Sequence, residues 1–200
     1  MRTVLTVLAV GLLATDRIEA QSAPLEELVK QLRQGGCVLV MRHASSPREV
    51  PPRETANTDN TRLERQLDEA GRRGAAAMGE AIRALKIPIG AVLTSPTYRA
   101  LETVKHAGVG APTVVEELGD RGKSMQGVDE RQAAWLRNKV TEVPPSGNTL
   151  LVTHQPNLSR AFPDWGATVA DGEVVVLRPN GRGDSVLIGR IPIGEWPKLK

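Results

Sequence analysis

Cys37-Val38-Leu39-Val40-Met41-Arg42-His43-Ala44 is the stretch that decides how this 200-residue chain is read. Its five apolar residues are too few for a helix and end on a cation and an imidazole. That pattern reads as a strand buried on both faces. Upstream, Leu25, Leu28, Val29 and Leu32 recur at helical spacing, with Pro24 at the start and Gly35-Gly36 at the stop. Downstream, residues 44–67 form a long polar loop with Pro47, Pro51 and Pro52, and loops of this length in compact domains are often functional. Asp68 can cap a helix from Glu69 to about Leu85, with Ala75, Met78, Ala81, Ile82 and Leu85 on its inner face. Gly90 to Thr94 reads as a second strand, Pro96 to about His106 as a helix, and Thr113 to Val115 as a short strand. Asp129 to about Glu142 reads as a helix and Thr149 to Thr153 as a third buried strand. Residues 173–178 and 185–191 read as two strands joined by a turn. Helices alternating with strands predict an α/β fold: a three-layer αβα sandwich around a mostly parallel sheet, with a C-terminal β-hairpin.

Composition removes several classes of function. Lys+Arg number 26 against 23 Asp+Glu, a net charge of +3 with no dense basic stripe, so no nucleic-acid partner is expected. Aromatic residues are 2% of the chain, too few for a base-stacking platform. Trp135, Phe162, Trp165 and Trp196 read as packing residues. The single cysteine, Cys37, excludes an intramolecular disulfide framework and a Cys-rich zinc module. Met1 to Ala20 has the form of an export signal: Arg2, an uncharged run from Thr3 to Ala14, and a small residue at the end. The run is shorter than the about 20 apolar residues that span a bilayer. The expectation is a signal over residues 1–20, one domain over 21–200, a periplasmic location and no stable membrane insertion after signal removal. Oligomeric state is not legible.

In open α/β sheets, ligands bind beyond the carboxyl ends of the strands. Those ends here carry Arg42-His43, then Ser95-Pro96-Thr97-Tyr98-Arg99, then His154. Two arginines and two histidines at one sheet edge are hard to place as structure, because buried positive charge costs several kcal/mol per ion without an anion. The edge asks for a dianion. Phosphate fits best, since guanidinium forks grip its oxygens in a bidentate way.

Val40-Met41-Arg42-His43-Ala44, then Ser95-Pro96 with Arg99-Ala100 and Glu102-Thr103, then Val152-Thr153-His154 resemble the motifs of the histidine phosphatase superfamily. Order and spacing agree with that phosphoglycerate-mutase-like family. Small size and the signal are most similar to its small exported bacterial-type branch. The resemblance implies a metal-independent phosphoric monoester hydrolase of the histidine acid type, with no cofactor, acting on a phosphorylated small molecule or sugar phosphate. It implies that His43 takes the phosphoryl group as a phosphohistidine. Arg42, Arg99 and a His154 protonated in the phosphate's field would hold the phosphoryl oxygens. The family's proton donor follows the second motif as Leu-x-acid, which gives Asp120, with Glu117 and Glu116 as competitors. Asn60, Arg62 and Arg65 of the long loop are candidate substrate contacts. Glu102 is expected in a helix-surface or arginine-orienting contact, and His106 as a helix-end residue without notable neighbours.

Two other readings stand beside the phosphatase. A metal-dependent hydrolase using His43, His154 and Asp120 is opposed by the arginines, which would repel a cation. A non-catalytic exported phosphoanion-binding module would keep the pocket without turnover, and the unassigned acid leaves it open.

Overall fold

The computed structural model describes residues 24–120 and 127–199. The expected export signal, residues 1–20, lies outside the described residues. The elements follow in the order α1 (Leu25–Gln34), β1 (Val38–Arg42), α2 (Glu69–Ala84), β2 (Ile89–Thr94), α3 (Tyr98–Ala107) and β3 (Thr113–Val114). Then come α4 (Glu130–Lys139), β4 (Asn148–Thr153), α5 (Gln155–Ala161), β5 (Val174–Pro179) and β6 (Ser185–Ile191). Short 3-10 turns cover Glu116–Leu118, Gly166–Thr168 and Ile193–Lys198.

The sheet has six strands in the order β3-β2-β4-β1-β5-β6. The four on the β3 side run parallel, and β5 is antiparallel to both β1 and β6. Alternation within each strand divides the core in two. Leu39, Met41, Leu150, Val152, Val174 and Val176 face α1, α2 and α3. Val38, Val40, Leu151, Val175 and Leu177 face α4 and α5. A fully buried Leu or Val contributes about 1.5–3 kcal/mol, so covering both faces is what holds this sheet.

The helix termini follow from local chemistry. The Asp68 carboxylate accepts the Gly71 N–H at 2.7 Å and starts α2. Asp129 and Gln132 form a reciprocal capping box that starts α4. That helix ends at Lys139, short of the expected Glu142, where Val140 closes the last turn. Helix α5, for which the sequence pattern gives no periodic signal, begins at Gln155-Pro156, with proline in the first turn. Helices α2 and α3 touch through Gly79, where a Cβ would lie 1.7 Å from the Ala107 carbonyl oxygen.

Candidate active site

Strand register brings the two histidines together. Arg42 of β1 pairs with Thr153 of β4, and Val152 of β4 pairs with Thr94 of β2. The next backbone groups continue the ladder: His43 N–H donates to Thr153 O at 2.9 Å, and Ser95 N–H to Val152 O at 3.0 Å. His43, His154 and Ser95 therefore emerge at one level, at the carboxyl edge. The imidazole centroids are 5.1 Å apart. His43, Arg99, His154 and Asp120 are all buried, with no more than 6% of their surface exposed.

The hydrogen bonds assign the tautomers. His43 Nδ1 lies 2.8 Å from the Ala44 carbonyl, which only accepts, so Nδ1 carries the proton. The bare Nε2 faces the cluster and accepts from Arg99 Nε at 3.2 Å. Arg99 Nη2 donates to His154 Nδ1 at 3.1 Å and to the Asp120 carboxylate. His154 must then be protonated at Nε2, which donates to Ser95 Oγ at 2.7 Å, with Thr97 Oγ1 at 3.2 Å. Arg99 thus meets three acceptors with one planar fork.

Arg42 is held from the other side by the connection into β5. Its Nη1 donates to Val169 O at 3.0 Å, and Nη2 lies 2.6 Å from an Asp171 carboxylate oxygen. Its Nε is buried without a partner among the described residues, a donor aimed at no protein acceptor. Gly172, at φ +72°, donates its N–H to both Arg42 O and His43 O, at 3.1 and 3.0 Å. A Cβ there would lie 2.4 Å from Ile193 Cδ1, so the clasp requires glycine.

Burial pushes His43 down to about 3, aided by Arg99, Arg42 and Arg65 and opposed by the Ala44 hydrogen bond. Burial, then Arg99, His43, Arg65 and Arg42, also holds His154 well below the ordinary imidazole range. Both rings are neutral near pH 7. The positive charges that face the two rings are those of Arg42, Arg65 and Arg99. Burial lowers Arg99 somewhat, which Asp120 partly offsets.

The remaining predicted residues divide by position. Asp120 lies inside the cluster, 3.7 Å from His154 Nδ1. Glu117 pairs with Arg131 at 3.1 Å in an outer cleft of about 460 Å³. Glu116, Arg62, Glu64 and Thr97 also line that cleft. Arg62 is mostly exposed and lies 3.8 Å from Glu64. Arg65 grips the Ser46 and Pro47 carbonyls, a few residues after β1, and its charge acts on both histidines. Asn60 is buried and closes its own loop, accepting from Glu64 N at 2.9 Å and donating to Glu64 O at 2.7 Å.

Glu102 departs from its expected place. It is 4% exposed and accepts from Leu67 N at 2.6 Å and Asn57 Nδ2 at 2.7 Å, so it ties down the long loop. His106 does have a neighbour: its Nε2 lies 3.8 Å from Glu102. Trp196 is fully buried in the first core, and Phe162 stacks on Trp165 at 4.3 Å. Sequence reasoning missed Asp171 and the roles of Ser95 and Thr97. Ala170-Asp171-Gly172 reads only as a polar turn, because its contact with Arg42 spans 129 positions in the chain. Among the described residues, no cluster of three or more His, Cys, Asp or Glu could hold a metal ion. None of the described helices is long and apolar enough to cross a membrane.

Fold and site together define an α/β protein with an arginine-flanked pair of neutral histidines at the carboxyl edge of its sheet. Residues 38–120 match the model of the histidine phosphatase superfamily (branch 1). Over that span the chain is a histidine phosphatase superfamily sequence, and its fold is the phosphoglycerate-mutase-like one. It is similar to the protein histidine phosphatase SixA complexed with tungstate (TM-score 0.57, 18% identity, 80% of this chain, 98% of that one). It is also similar to YhfR of Bacillus stearothermophilus (TM-score 0.55, 19% identity, 76% and 94%). A third similar structure is a phosphoserine phosphatase mutant from Entamoeba histolytica bound to phosphoserine (TM-score 0.53, 14% identity, 78% and 97%). No curated protein matches the chain.

Proposed function

We propose that this chain is a phosphomonoester hydrolase that works through a covalent phosphohistidine on His43. The observation that carries this reading is the Nδ1–H bond from His43 to the Ala44 carbonyl, 2.8 Å long. It fixes the tautomer and leaves the Nε2 lone pair facing the buried cluster, where it accepts from Arg99 Nε at 3.2 Å. A neutral imidazole is a competent nucleophile, and a covalent intermediate divides one hard displacement into two easier ones.

An arriving phosphoryl group takes over the Nε–H and Nη–H donors of Arg99 and the unpartnered Nε–H of Arg42. Fixed donors around the three equatorial oxygens stabilise the charge that spreads there in the transition state. The dianion also reverses the field at His154. Protonation of its Nδ1 then converts an acceptor facing Arg99 into a donor facing the phosphoryl oxygens. Displaced from Arg99 by the phosphoryl group, Asp120 draws a proton from solvent; His43 Nε2 then attacks phosphorus, the ester P–O bond breaks, and the departing alkoxide takes that proton. In the second half Asp120 takes a proton from water, the oxygen attacks phosphorus, and the N–P bond breaks to release phosphate. Asp120 is the better placed of the two candidate acids, because its carboxylate lies within the histidine cluster, 3.7 Å from His154 Nδ1, while Glu117 lines the outer cleft.

Trapping is the direct test. The protein is mixed with a labelled phosphomonoester and quenched, and an acid-labile, base-stable adduct is expected on His43. No adduct and no turnover across a broad substrate set would overturn the proposal. Asp120→Asn should slow alkyl phosphates far more than p-nitrophenyl phosphate, whose leaving group needs no proton. Equal losses would remove Asp120 as the acid. A periplasmic site of action rests on residues 1–20 alone, and cell fractionation with N-terminal sequencing of the mature chain tests it.

A further inference from the structure

The 3-10 turn Glu116–Leu118 carries the chain to Asp120, and side chains from three elements hold it by its carbonyls. Thr153 Oγ1, at the end of β4, donates to Leu118 O at 2.7 Å. Asn157 Nδ2, in the first turn of α5, donates to Glu117 O at 3.2 Å and to Gly119 O at 3.1 Å. Gln132 Nε2, in α4, donates to Gly119 O at 2.7 Å and reaches Glu117 O at 3.4 Å. The other end of that amide is fixed as well, because Gln132 Oε1 accepts the Asp129 N–H at 3.1 Å. All three carbonyls before Asp120 are thus gripped, by residues no more than 3% exposed.

Two of these grips come from the segment that carries His154. Thr153 precedes the imidazole by one residue and Asn157 follows it by three. The 3.7 Å between His154 Nδ1 and the Asp120 carboxylate is therefore set within the short stretch Thr153–Asn157. The clamp acts on backbone, so it persists when an arriving phosphoryl group draws Arg99 away from the Asp120 carboxylate.

Stability alone does not account for Asn157. Its Oδ1 is buried with no partner among the described residues, and an unpaired buried acceptor is unfavourable. A leucine would fill nearly the same volume without that cost. A leucine cannot donate to two carbonyls at once. Locally costly features collect where geometry serves chemistry.

We propose that Asn157 and Gln132 are positioning residues that set Asp120 against the leaving-group oxygen. They touch no reacting atom and act through the backbone that leads into Asp120. The inference rests on the reading of Asp120 as the proton donor given above.

Asn157→Leu and Gln132→Met each remove one donor at nearly constant volume. In each variant the other amide still reaches both carbonyls, and Gln132→Met leaves the N–H of that position on Asp129 Oδ1, so α4 keeps its cap. The readout is kcat/KM of the full chain for an alkyl phosphomonoester and for p-nitrophenyl phosphate. Each variant should lose about tenfold on the alkyl ester and stay within about twofold on p-nitrophenyl phosphate, as expected for a misplaced proton donor. A purely structural role would lower both together. In an Asp120→Asn background, Asn157→Leu should cost nothing further on the alkyl ester, because the group it positions is already lost. Crystal structures of both variants should show Asp120 displaced by about 1 Å from an unmoved His154 ring.

A selective loss in Asp120→Asn with none in either clamp variant overturns this inference and leaves the acid assigned. Additive losses in the double variant overturn it in the same way. Equal losses on both esters in Asp120→Asn overturn the acid, and this inference with it. If no ester is hydrolysed, p-nitrophenyl phosphate included, the phosphatase reading falls, and the variant crystals decide the clamp: an unmoved Asp120 overturns it.

Discussion

Acidification should unfold this protein early, through its two site histidines. Burial and the surrounding arginines hold His43 at about 3 and His154 well below the ordinary value of 6.5. Both are neutral in the fold, whereas in the unfolded chain each binds a proton near 6.5. Stability from these rings is therefore complete above that unfolded value. It is lost as pH falls towards about 3, where His43 protonates within the fold. From about pH 6.5 to about pH 4.5 the His43 ring alone removes about 2.3 kcal/mol, and His154, lowered in the same direction, adds to that loss. The limiting slope for two protons is about 2.7 kcal/mol per pH unit. Marginal domains have about 5–15 kcal/mol in total, so this is a large share. Carboxylates with lowered values act below this window. Asp68 is one, lowered because hydrogen bonds from Ser45 and Gly71 outweigh its burial. Urea unfolding at 25 °C across the window measures the effect directly. His43→Gln should remove about half of the slope. A change under about 1 kcal/mol in the parent protein would refute both the burial and the neutral assignment of the pair.

Other perturbations follow from single contacts. Asp171→Asn should loosen the Arg42 fork and raise the competitive inhibition constant of inorganic phosphate about tenfold, with Asp171→Glu recovering part of it. Glu102→Gln should cost about 1–2 kcal/mol by weakening its charge-assisted bonds to Leu67 and Asn57, and speed hydrogen exchange over residues 57–67. Gly79→Ala should destabilise by about 3 kcal/mol in urea, because its Cβ would collide with the Ala107 carbonyl on a neighbouring helix.

The strand Val38–Arg42, the helix face from Ala75 to Leu85 and the C-terminal hairpin were all legible before the fold was known. Each rests on local periodicity and on caps that operate within a few residues. The grouping of Arg42, His43, Arg99 and His154 was legible for a related reason. Parallel strands all present their carboxyl ends at one edge, so residues that follow them must meet. Helix α5 was missed because its seven residues, with proline at the second, carry too little periodic signal.

What the chain alone could not determine is what each charge is paired with. The contacts between Arg42 and Asp171, Arg99 and Asp120, and Glu102 and Leu67 join positions 21 to 129 residues apart, and no local spacing encodes them. The protonation of the histidines is decided in the same way. An imidazole at the end of a strand is neutral or charged according to how deeply it is buried and how many guanidinium groups face it. The residue types and their order came from the sequence, while the tautomers, the neutral pair and the charged cleft exist only once strand register and the long loop bring distant charges within a few ångströms.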